Sequence, residues 1–99
     1  MKMLDVDGIA DALRRDLLPL LSEAGRFILW SPLEAGDPDF AIHLGLQFAL
    51  LDEVRIPEPL LEAIGVALDD PAFDPDLRPE ATAWCAQLRS GDAADRNLP

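Results

Sequence analysis

Four times in this chain a residue with a capping side chain stands directly before a proline: Ser31-Pro32, Asp37-Pro38, Asp70-Pro71 and Asp74-Pro75. Proline holds φ at about −65° and lacks a backbone donor, so it suits the first turn of a helix and costs about 3 kcal/mol in the interior. A Ser or Asp ahead of it offers an oxygen to the unpaired N–H groups of that turn. The repeated pair reads as a series of helix starts and confines the chain to several short helices joined by tight turns. Composition points the same way, since Leu occurs 18 times and Ala 14, whereas Val, Ile and Thr together reach nine and Tyr is absent. Those preferences favour helix over sheet.

Over residues 5–24 the apolar positions Val6, Ile9, Leu13, Leu17, Leu20, Leu21 and Ala24 recur mostly at spacings of three and four, one face of an amphipathic helix with Asp5 or Asp7 as its cap. That helix is expected to run to about Leu18, to kink or restart at Pro19, and to close at Gly25. The run "RFILW" over 26–30 has no decidable period and reads as a strand or a buried connector. "SPLE" after it matches a capping box, with Ser31 as cap, Pro32 in the first turn and Glu34 reaching back, and Asp37-Pro38 repeats the start signal six residues later. A helix over 58–69 follows from Pro59 near its start and Leu60, Leu61, Ile64, Ala67 and Leu68 on one face, with Gly65 either weakening it or admitting a close neighbour. The last helix is expected over 76–90 on the stripe Leu77, Ala81, Trp84 and Leu88, with Gly91 beyond its end.

The segment "FAIHLGLQFALL", residues 40–51, is ambiguous. Its even positions are all large and apolar and its odd positions up to Ala49 are small or polar, which is the period of a half-buried strand. Against a strand stand the Asp37-Pro38 start, the Leu and Ala content and the scarcity of β-branched residues; a helix here would be apolar nearly all round, as a central helix is. The sequence is therefore read as all-α, a small bundle of four to five helices ending in an antiparallel helical hairpin. The alternative is an α+β fold in which residues 26–30 and 40–50 form a hairpin packed on helices. Residues 1–90 form the expected domain and 91–99 a flexible tail.

The chain carries 19 acidic and 8 basic residues, a net charge of −11, beyond the magnitude of about 2 to 8 usual for a small domain. Within residues 52–80 nine acidic residues meet only Arg55 and Arg78, so −7 of the total lies there. Such a field repels phosphate and argues against direct binding to nucleic acid or an anionic membrane, and it complements a basic protein surface. The single Cys85 cannot form an internal disulfide, which suits a reducing cytoplasm. No stretch approaches the roughly 20 apolar residues of a membrane span. The Ala-, Leu-, Arg- and Pro-rich composition suggests a bacterial or phage source.

Chemistry is restricted by an inventory of one His, one Cys and one Lys. His43 and Cys85 are the only thiol–imidazole pair, and both fall among apolar residues, where a core role is expected. The stretch over 68–80 ends in Glu80 as a calcium loop does, but lacks the Gly and puts proline among the ligands. Catalytic, cofactor-binding and metal-binding residues are accordingly expected to be none.

The expected function is a non-enzymatic protein-interaction module, an inhibitor, immunity, phage counter-defence or adaptor protein, binding a basic partner such as a nucleic-acid-binding protein. Asp69, Asp70, Phe73, Asp74, Asp76, Glu80, Glu62 and Trp30 are the candidate partner-binding residues. Two rival readings are an accessory subunit or homodimer assembling through the apolar segment 40–51, and an enzyme with a carboxylate or metal site.

Overall fold

The computed structural model describes residues 6–97. Its first helix, α1 (Val6–Ala12), gives way ahead of Pro19: the backbone widens into a π-helical turn over Leu13–Leu17 and tightens into a 3₁₀ turn over Leu18–Leu20. The Leu18 N–H donates to the Leu13 carbonyl, five residues back. Pro19 has no N–H to give and its ring crowds the preceding turn, so the wider turn accommodates it while Leu13 and Leu17 stay buried. The cap expected of Asp5 or Asp7 lies outside the residues whose side chains are described.

The chain restarts earlier than expected. After extended Leu21, Ser22 Oγ accepts the Gly25 N–H at 3.1 Å and begins α2 (Glu23–Ala35). Gly25 is thus the third residue of a helix and not a terminator, and residues 26–30 are helical, neither strand nor connector. Ser31, Pro32 and Glu34 form no capping box, because they lie inside α2. Buried Leu29, Pro32 and Leu33, at i, i+3 and i+4, carry the helix through the missing N–H of Pro32. Gly36, at φ 70°, ends it in the left-handed conformation.

The Asp37-Pro38 start holds: Asp37 Oδ1 accepts the Phe40 N–H at 3.2 Å and opens α3 (Pro38–Leu51). The strand alternative is overturned with it, since no strand occurs among the described residues. The alternation is a by-product of two helical stripes. Ala41, Gly45 and Ala49 recur every four residues and are buried, as are Ile42 and Leu46. The small stripe lets neighbours approach closely; side-chain carbons of Leu13 and Leu17 stand 3.4 and 3.3 Å from where a Cβ on Gly45 would be. The helix closes with Glu53 at φ 55°, allowing the Val54 N–H to donate to the Ala49 carbonyl at 2.8 Å.

Helix α4 (Glu58–Asp69) has its expected bounds. Helix α5 (Arg78–Asn97) begins two residues later than expected and continues beyond Gly91, the Ala-containing segment after it sustaining helical backbone. Asp70-Pro71 starts no helix; Asp70 ends α4 and its Oδ1 accepts the Ala72 N–H at 2.9 Å, making a local turn. Asp74-Pro75 does lead into α5, because the Asp74 carbonyl accepts from Leu77 and Arg78 N–H at 3.2 and 3.1 Å.

Helix α3 is central, packing on α1, α2 and α5, and the antiparallel pair α4 and α5 closes the bundle, α4 also meeting α1. Ile9, Leu13, Leu17, Leu29, Ile42, Leu46 and Ile64 are fully buried in one continuous core. Gly65 admits a close neighbour: an Arg89 guanidinium nitrogen lies 3.0 Å from where its Cβ would stand. No helix among the described residues is long and apolar enough to cross a membrane.

Candidate functional site

The acidic stretch forms the corner between α4 and α5, and its shape comes from an interior cation. The Arg78 guanidinium turns back into the loop and donates to the carbonyls of Asp70 at 2.7 Å and Phe73 at 3.0 Å. Phe73, 3% exposed, plugs the base of the hairpin. It was a candidate contact residue, and its burial removes it from reach of a partner. Asp39, from α3, accepts the Asp74 N–H at 2.9 Å and fastens the corner to the central helix.

The carboxylates of the corner divide by task. Asp70 and Asp74 are held by the loop itself, each accepting an N–H two residues ahead at 2.9 Å, from Ala72 and Asp76 respectively. Glu80 Oε1 lies 3.0 Å from His43 Nε2, joining α5 to α3. Asp69 and Asp76 are exposed and project charge to solvent. Glu62 precedes Asp69 by two helical turns on α4 and is exposed, so these two share a stripe with half-exposed Val66 between them. The structure thus gathers Asp69, Asp70, Asp74, Asp76 and Glu80 at one end of the hairpin, with Glu62 two turns back along α4. Trp30 lies elsewhere, on α2, with the Arg14 guanidinium 5.3 Å from the centre of its ring.

The imidazole and thiol are both withdrawn from solvent. His43 is 8% exposed, packed against Trp84 with ring centres 4.7 Å apart. Because the Glu80 carboxylate accepts, Nε2 is the donor of that bond, and Nδ1 is buried without a hydrogen-bond partner. Cys85 is 5% exposed; burial pushes its thiol above the usual range, Arg89 opposes that and Asp69 adds to it. Among the described residues no cluster of three or more His, Cys, Asp or Glu side chains is placed to hold a metal ion.

Sequence reasoning missed three features. Arg78 and Asp39 brace the corner through contacts that no local pattern encodes. The third is the outer side of α2, where Phe27 is 82% exposed, Ile28 42% and Trp30 45%. Its signal was present in "RFILW", which has too many large apolar residues for a single buried helical face. The segment 40–51 is by contrast committed to the chain's own core and leaves chiefly its ends, Phe40 and Leu51, exposed. No protein-family model, curated protein or solved structure matches this chain.

Proposed function

We propose that this chain is a non-enzymatic protein-interaction module that presents its acidic α4–α5 corner to a basic surface of another protein. The observation that carries this reading is a division of labour. Arg78, Asp39 and the loop carboxylates fix the corner from within, while Glu62, Asp69 and Asp76 remain exposed in a region already at −7. A backbone held in place need not be ordered on binding, and the summed field of the carboxylates it carries accelerates encounter with a positive surface. Nucleic-acid-binding proteins present such surfaces, so occupying one makes the module an inhibitor or adaptor. The burial of His43 and Cys85 supports a binding role over catalysis, and a free thiol in a chain of this size suits a reducing cytoplasm.

The test is affinity capture from the source cell with two baits: the natural chain and a variant carrying Glu62→Gln, Asp69→Asn and Asp76→Asn. Asp70 and Asp74 stay untouched because they hold the loop. The natural bait should retain a basic protein that high salt releases and that the variant fails to retain. Retention unaffected by both changes would contradict the proposal.

A further inference from the structure

Helix α2 is apolar on two sides. Leu29, Pro32 and Leu33 are buried within the bundle, and Phe27, Ile28 and Trp30 stand in solvent, where a surface helix ordinarily places charge. Ala24 and Ser31 lie one turn to either side of Phe27 and Ile28 and are exposed and uncharged, so the strip continues unbroken along the helix. Carboxylates stand at both of its ends. Glu23 is exposed at the start of α2, and there Asp52 accepts the Ser22 N–H at 2.9 Å with exposed Glu53 beside it. At the other end Glu34 is exposed, and the turn into α3 brings Asp37 and Asp39, the latter bonded to the acidic corner through Asp74. Arg26 and Arg14 border the Trp30 edge only.

We propose that this strip seats the apolar face of a basic amphipathic helix of another protein, whose Lys or Arg side chains meet the carboxylates at both ends. The inference rests on the acidic-module reading and adds where, and by what kind of segment, the partner is engaged. Phe27 and Trp30 stand three residues apart, with Ala24 and Ser31 about a turn to either side, so the apolar centre with its small flanks forms a ridge of about two turns that a helix can lie along. A second copy of the chain is disfavoured by charge complementarity: each copy carries −11, and antiparallel pairing across Phe27 and Trp30 would set Glu23 against Glu34. Phosphate-bearing membranes and nucleic acids meet the same repulsion.

The experiment uses the full chain and three synthetic peptides: one with Leu on one helical face and Lys at both ends of it, one with Glu replacing those Lys, and one of Lys alone. Binding is followed by calorimetry for the natural chain, for Phe27→Ser with Ile28→Ser, and for the Glu62→Gln, Asp69→Asn, Asp76→Asn variant. Both Phe27 and Ile28 are exposed, so the double variant keeps its fold, checked by circular dichroism. The Leu–Lys peptide should bind the natural chain, lose about tenfold or more in affinity with the double variant, and bind far better than its Glu counterpart. Equal binding by the double variant, with salt and corner neutralisation still weakening it, overturns the strip as the seat while the acidic-module reading stands. Equal binding of the Lys and Glu peptides overturns both. A solution dimer that Phe27→Ser dissolves, attachment to phosphatidylcholine vesicles in preference to the peptide, or no binding of the Leu–Lys peptide each overturns the proposal.

Discussion

Replacing Gly25 by Ala should destabilise this protein, although the same change in a helix ordinarily gains up to about 1 kcal/mol. A Cβ at Gly25 would stand 3.0 Å from Asp52 Oδ2, 3.2 Å from Leu21 Cβ and 3.2 Å from a ring carbon of Phe48. Leu21 Cβ is fixed by the backbone, and the Asp52 carboxylate is already committed to the Ser22 N–H. Relieving the overlap costs about 1–3 kcal/mol for overpacking and about 1 kcal/mol for a weakened surface hydrogen bond. Less the propensity gain, the net loss is about 1–3 kcal/mol, a fall in Tm of roughly 5–20 °C for a domain of this size. Gly65→Ala is the control. There the nearest atom, also at 3.0 Å, is the end of the flexible Arg89 side chain, so the Arg moves and the helix gains about 0.5–1 kcal/mol. Thermal and urea denaturation by far-UV circular dichroism measures both. A Gly25→Ala protein as stable as Gly65→Ala would refute the close α2–α3 approach described here.

The two Xaa-Pro pairs that differ in role should separate on mutation: Asp37→Ala removes a cap bonded to the Phe40 N–H and should cost about 1 kcal/mol, whereas Ser31→Ala, inside α2, should change stability by less than about 0.5 kcal/mol in urea titrations. Glu53 holds a left-handed conformation at φ 55°, so Glu53→Gly should gain about 0.5–1 kcal/mol while slowing association with a basic partner, read by paired denaturation and binding kinetics. Burial raises the folded Cys85 thiol above its unfolded value of 9.0. Its contribution to stability is then complete below that value and falls as pH rises through the raised one, where the unfolded chain has already lost the proton. Stability measured upward from pH 9 should decline less steeply in Cys85→Ala, and a thiol reagent should react with the native protein far more slowly than with the unfolded one.

Local chemistry made much of this fold legible. The bounds of α4 and the Asp37 cap were readable because the signal and its effect lie within a few residues. Pro32 was misread because proline marks a helix start only when nothing else holds the turn together, and here the burial of Leu29, Pro32 and Leu33 does so. The alternation over 40–51 misled for a related reason: large residues on several faces of an enclosed helix mimic period two, and only the four-residue recurrence of Ala41, Gly45 and Ala49 betrays it. The site divides likewise. Its surplus charge was visible in composition, but how the corner is held depends on Arg78 and on Asp39, 35 residues from its bond partner Asp74.

The central claim is that exposed carboxylates at the α4–α5 corner draw in a basic partner, and association kinetics test it most directly. With the captured partner immobilised, the association rate of the natural chain should fall steeply as salt rises. The Glu62→Gln, Asp69→Asn, Asp76→Asn variant should associate about tenfold more slowly at low salt, show a shallower salt dependence and keep its thermal stability. An association rate unchanged by those three substitutions, with the same salt dependence as the natural chain, would contradict the account.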